Sequence, residues 1–240
     1  SYRYLIEAVR TQDNLVSHSN IDLVETLLPE IPAYLQIDYV DVIDEASVNI
    51  SVTADPESEI TAFQLLRSTQ FDADFLIKNT FENDYHSTFS ISDHVATSGN
   101  PYFYRVDAIY QPDGCPVSRV VRSSNIGSTI LLSGEENNNN VSLSWTPYRD
   151  FPGGLAGYEV SRKIEGEYVD IEYTGPGTTQ FNENISSILD GPQPGEIKYR
   201  IKAIGSPNAH DPEGGESHSN EISIELETRF YMPNAFTPNG

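Results

Sequence analysis

Three segments of this chain repeat one strand signature, and that repeat constrains the fold more than any other feature. Tyr4-Leu5-Ile6-Glu7-Ala8, Tyr104-Arg105-Val106-Asp107-Ala108 and Tyr199-Arg200-Ile201-Lys202-Ala203 each place Tyr, a β-branched aliphatic and Ala two positions apart. Residues i, i+2 and i+4 share one face of a strand, so each segment buries the same trio and turns mostly polar residues to water. A second shared element follows each after a loop: Ser17-His18-Ser19-Asn20-Ile21, Ser123-Ser124-Asn125-Ile126 and Ser217-His218-Ser219-Asn220-Glu221-Ile222. The three Asn lie 105 and 95 residues apart, so the chain reads as tandem modules of similar size.

The sequence between the repeats is a series of short strands. Tyr34–Ile43, Ser47–Ala54, Ile60–Ser68, Phe75–Phe81, Thr88–Ile91 and Tyr102–Tyr110 are separated by Asp55-Pro56, Gly99-Asn100-Pro101 and similar turn formers. Val141–Trp145, Gly157–Lys163, Tyr168–Tyr173 and Ile197–Ile204 repeat the arrangement. No long window carries a helical period, so the fold class is all-β, built of sandwiches. The expected organisation is the C-terminal strands of one module over residues 1–28, complete modules over 29–127 and 128–228, and a linker with the start of a further domain over 229–240.

The formal net charge is −22, which excludes nucleic acid and anionic membrane surfaces as default partners. Residues 29–127 carry −10 and residues 128–228 carry −11, so the charge describes a solvated face repeated on each module. With Cys115 as the single cysteine, neither an internal disulfide framework nor a cysteine-built zinc site is available. No apolar run is long enough to predict a membrane-spanning helix. The first residues lack the pattern of a signal peptide, and such a leader is expected upstream.

The short strands, the early Trp145 and the Tyr-x-Val/Ile-x-Ala strand resemble fibronectin type III domains, a fold related to the immunoglobulin-like sandwiches. The resemblance implies that Trp145 lies in the core on the second strand, and that the tyrosine of the penultimate strand anchors a corner through its hydroxyl. The middle module departs from the pattern: Val48-Asn49-Ile50-Ser51-Val52 has no Trp, so Val52 or Ile50 must fill that space.

The last residues, Pro233-Asn234-Ala235-Phe236-Thr237-Pro238-Asn239-Gly240, resemble the opening of the gliding-motility-associated C-terminal domain of Bacteroidetes surface proteins. That resemblance implies export by the type IX secretion machinery and retention at the bacterial cell surface. An extended linker is the competing reading of the same residues.

Candidate chemistry is sparse. His18, His86, His94, His210 and His218 are scattered, and His18 and His218 fall at equivalent repeat positions. No nucleophile elbow accompanies the available Ser, His and Asp, and Cys115 sits in a turn without a matched His. The loop Asp211-Pro212-Glu213-Gly214-Gly215-Glu216 offers three carboxylates and two glycines, a composition suited to Ca²⁺. It lacks the alternating spacing of a recognised calcium loop, and a solvated turn competes with that reading. Asp55-Pro56-Glu57-Ser58-Glu59 is a weaker acidic candidate. The Asn-x-Ser sequons at Asn49, Asn140 and Asn184 matter only in a host that glycosylates them.

The expectation is therefore a non-catalytic stalk of a secreted, adhesin-like surface protein, without cofactor. Accessory spacer or binding modules of a secreted polysaccharide-degrading enzyme are the alternative. A glycan or protein ligand would be met by the loops at 111–118 and 206–218.

Overall fold

The computed structural model describes residues 2–24, 29–164, 166–189 and 195–226. The chain divides into two compact units, Ser1–Glu30 and Ile31–Gly240. The first holds β1 (Tyr2–Tyr4), β2 (Glu7–Val9), β3 (Val16–His18) and β4 (Asp22–Val24). These strands fold back antiparallel, with Ala8 opposite Ser17 and Tyr4 opposite Asp22.

The second unit begins with β5 (Leu35–Asp44), β6 (Ser47–Ala54), β7 (Ala62–Ser68), β8 (Leu76–Glu82), β9 (Thr88–His94), β10 (Phe103–Tyr110), β11 (Arg119–Ser123) and β12 (Gly127–Ser128). One sheet has the order β5-β6-β9; the other runs β11-β10-β7-β8, with β12 beside the start of β10. The same plan follows in β13 (Leu132–Asn137), β14 (Asn140–Trp145), β15 (Leu155–Ile164), β16 (Glu167–Thr174), β17 (Gln180–Asn184), α1 (Ser186–Leu189), β18 (Glu196–Gly205), β19 (Glu216–His218) and β20 (Ile222–Glu225). There β13-β14-β17 faces β16-β15-β18, with β19 and β20 both on β18. The fold is all-β, a tandem of fibronectin type III-like sandwiches.

Alternation produces the two cores. Tyr199, Ile201 and Ala203 of β18 have no exposed surface, and neither do Tyr104, Val106 and Ala108 of β10. Val141, Leu143 and Trp145 point inward from β14, where Trp145 meets Tyr158 edge-on at 5.5 Å. Val52 opposes Ile37 as Trp145 opposes Leu132, so Val52 takes the tryptophan's register position. Phe63, Phe81 and Phe89, with centroids 4.9–5.7 Å apart, supply aromatic volume in that first core. Ser128 ends β12 and Leu132 begins β13, so the chain passes from one sandwich to the next over residues 128–132.

Polar groups join the two sheets of each sandwich. The Tyr104 hydroxyl on β10 donates to Asp93 Oδ2 on β9 at 3.0 Å, and Arg67 Nη1 on β7 donates to the same oxygen at 2.6 Å. Tyr199 donates to Glu183 at 2.7 Å, and Arg162 donates to the other oxygen of that carboxylate. The anticipated anchoring role of this tyrosine therefore takes the form of a bridge between sheets. Burial, with the adjacent carboxylate, pushes both phenols well above their ordinary pKa.

The Ser-Asn elements close the opposite edges. Asn125 Oδ1 accepts the Ile37 N–H at 2.7 Å while its Nδ2 donates to the Ile37 carbonyl at 3.0 Å. Asn220 does the same to Leu132, at 2.7 and 3.0 Å. One side-chain amide thus replaces a neighbouring strand at the edge of the facing sheet.

Asn220→Ala leaves the buried Leu132 N–H and C=O unpaired, a cost of about 1–3 kcal/mol for an unsatisfied group. Tyr199→Phe should destabilise over the same range by removing a donor from Glu183. Urea unfolding followed through Trp145 fluorescence measures both, and unchanged midpoints would contradict these assignments.

Candidate functional site

The most constrained polar cluster is the seam between the two sandwiches. Strand β5 is a sheet edge, so the outward N–H and C=O of a residue such as Val40 need partners from elsewhere. The neighbouring sandwich supplies them. Tyr148 Oη accepts the Val40 N–H at 3.0 Å, and the Ser217 hydroxyl donates to the Val40 carbonyl. Asp41 Oδ1 accepts the His218 N–H at 2.7 Å and lies 2.9 Å from His218 Nδ1.

The loop between β14 and β15 holds Tyr148 in place. Its N–H donates to Tyr158 Oη at 2.9 Å, and its ring stacks on Phe151 at 4.0 Å. Burial pushes the Tyr148 hydroxyl far above its ordinary pKa, so it stays a neutral phenol. Asp150 adopts a positive φ of 69°, and its carbonyl accepts from Asn125 Nδ2 at 2.7 Å. Gly215 is required for a different reason: a Cβ there would stand 2.8 Å from the Tyr39 ring, which packs against the second core. Tyr34 stacks on His210 at 4.1 Å, and the Arg149 guanidinium lies over Phe71 at 4.6 Å.

The acidic candidates lie beside this seam. Asp211, Glu213 and Glu216 line a cleft of about 540 Å³ together with Asp41 and His218. Asp211 Oδ1 accepts the N–H groups of Glu213 and Gly214 at 3.3 and 3.2 Å, so it organises the turn. Glu216 pairs with Lys202 at 3.5 Å, and Lys202 also holds Glu159 at 2.6 Å. Among the described residues no group of three or more His, Cys, Asp or Glu could hold a metal ion. Of the loop's three carboxylates, Asp211 is directed to backbone amides and Glu216 to a lysine.

The remaining candidates do not converge with these. His18 faces Glu7 at 2.9 Å, His86 lies 3.7 Å from Asp84, and His94 is exposed on β9. The Cys115 thiol makes a weak contact to the Val117 carbonyl at 3.6 Å. Asn140 and Asn184, two of the sequon asparagines, pair across β14 and β17. The loop at 111–118 makes its own turn through Cys115 N–H and the Pro112 carbonyl at 3.0 Å. The loop at 206–218 ends in Ser217 and His218, whose polar groups are engaged with β5. Pro233 to Gly240 lie outside the described residues.

Sequence reasoning missed Tyr148, Val40 and Asp41. Tyr148 sits in Thr146-Pro147-Tyr148-Arg149-Asp150, which reads as a polar loop, and its aromatic residue was the available signal. Asp38 was missed as well. It is buried in a β5 irregularity, where Gln36 and Thr53 donate to it at 2.8 Å and Ser51 at 3.3 Å.

No family model matches the chain, and no curated protein matches it. Among solved structures it is similar to the FN1–FN3 domains of chicken CNTN1, at 13% identity and a TM-score of 0.30, covering 94% of this chain and 78% of that one. The strand order and the register of the two sandwiches carry the fold assignment.

Burial raises the Asp38 pKa, its three hydrogen bonds oppose that rise, and Asp211 adds to it. A raised folded-state pKa favours stability below the ordinary carboxylate range, and that contribution is lost as pH rises through the raised value. Asp38→Asn should therefore flatten the decline in melting temperature that the parent shows as pH rises from about 4 to neutrality. Calorimetry across this range checks it; an undiminished decline in the variant would contradict the sign.

Proposed function

We propose that this chain is a non-catalytic spacer of a secreted bacterial surface protein, adhesin-like, exported by the type IX secretion machinery and held at the cell surface. The observation that carries the spacer reading is the seam. Tandem domains move freely by default unless their interface is extensive and well packed. Here the join is made by a buried phenol, a buried serine, a histidine–carboxylate contact and the insertion of Tyr39 over Gly215. A spacer that holds a distal element at a set distance needs such a fixed joint. The net charge of −22 keeps neighbouring copies apart in solution. The export part rests on the resemblance of Pro233 to Gly240 to the start of a sorting domain. Any glycan or protein ligand would contact surfaces away from the seam, because the seam occupies Ser217 and His218.

Pulsed electron–electron resonance tests the joint. With Cys115→Ser as background, spin labels at exposed Ser92 and Glu172, one per sandwich, should give one narrow distance distribution. Combining Tyr148→Phe with His218→Ala should broaden it. A parent distribution already as broad as the double variant's would remove the support for a spacer. Export is checked separately by deleting residues 230 onward from the native protein in a type IX-competent host. Loss of surface display is expected, and undiminished display would overturn the sorting assignment.

A further inference from the structure

The hairpin of residues 2–24 repeats the hydrogen bonding of both complete sandwiches but not their burial. Ile6 N–H donates to Ser19 Oγ at 3.0 Å, Ser19 N–H donates to the Ile6 carbonyl at 2.9 Å, and Ser19 Oγ donates to the Asn20 carbonyl at 2.8 Å. Val106, Ser124 and Asn125 make the same three bonds at 2.9, 2.8 and 2.6 Å. Ile201, Ser219 and Asn220 make them at 3.0, 2.9 and 2.7 Å. The register agrees too: Ala8 faces Ser17 as Ala203 faces Ser217. Yet Tyr4 and Ile6 are 58% and 74% exposed, whereas Tyr104, Val106, Tyr199 and Ile201 are 0% exposed. Leu15, Ile21 and Leu23 are also exposed. A two-stranded hairpin with this much bare apolar surface is marginal in water.

We propose that the exposed face of β1–β4 is the inner face of a third sandwich, whose covering sheet comes from residues preceding Ser1 in the native protein. This rests on the reading of the chain as a tandem spacer. The source follows from chain order: in both complete sandwiches the clasped strand (β5, β13) and the carboxylate strand (β9, β17) precede the hairpin they cover. The equivalences also specify the occupant's chemistry. It presents a carboxylate to the Tyr4 hydroxyl, as Asp93 does to Tyr104 and Glu183 to Tyr199. It presents the N–H and C=O of one edge-strand residue to the Asn20 amide, as Ile37 does to Asn125 and Leu132 to Asn220.

Hydrogen exchange read by mass spectrometry compares the 240-residue chain with the native protein that contains the preceding residues. In the shorter chain the Ile6 and Ala8 amides should exchange rapidly. In the native protein they should slow by at least about 100-fold, approaching Val106 and Ile201. Fast exchange in both proteins would overturn the proposal. So would slow exchange in the shorter chain appearing only at concentrations where it dimerises, because a second copy would then be the cover. Tyr4→Phe and Asn20→Ala in the native protein should each speed exchange in β1–β4 while leaving residues 104–108 and 199–203 unchanged. If neither moves β1–β4, the assigned partner chemistry is wrong. Failure here leaves the distance distribution across the seam unaffected, so the two readings fail separately.

Discussion

A phenol taken out of water must bring a hydrogen-bond partner with it, and most of the polar architecture of residues 31–226 follows from that requirement. Tyr104 and Tyr199 meet it with carboxylates on the facing sheet, so each ties the two halves of its sandwich together. Tyr158 meets it with the N–H of Tyr148, and Tyr148 in turn with the N–H of Val40. These last two contacts run outward from the second core to the edge strand of the first sandwich. The same side-chain chemistry therefore sets the spacing of sheets and the placement of one sandwich against the other.

The edge strand gains from the same arrangement. Strand β5 would present a row of unpaired backbone groups on its outer side. Asn125 covers Ile37, and Tyr148 and Ser217 cover Val40. Between these points lies Asp38, whose carboxylate collects three donors within its own sandwich. A hydroxyl can satisfy a backbone group without continuing the sheet, so the two sandwiches touch without merging their sheets. The acidic loop fits this picture. Asp211 shapes the turn that brings Gly215 under Tyr39, with its Oδ1 facing the amides of Glu213 and Gly214.

Much of this was legible in the sequence, for a physical reason. Burial on a strand leaves a period of two, so Tyr199, Ile201 and Ala203 announce a core face before any coordinates exist. The Ser-Asn element was visible as a repeat, although its work as an edge clasp was not: a side-chain amide bonded to a distant backbone has no period. The seam is silent for the same reason, since Val40 offers only main-chain atoms and Tyr148 is one aromatic in a polar loop. Strand β17, Gln180–Asn184, reads as polar because only Phe181 and Glu183 turn inward and Glu183 is charged. The single turn of α1 is too short to leave a helical pattern.

The contact between Tyr148 and Val40 couples the thermodynamics of two bodies that each have a complete core. If one sandwich opens, a buried amide or phenol in the other loses its partner, and the survivor is weakened at that moment. Such nearest-neighbour terms make a tandem array behave as a one-dimensional cooperative system, where interface energy adds to the intrinsic stability of each unit. A module flanked on both sides by such contacts would resist local melting better than one at an end, so an unravelling event would begin at the termini of the array.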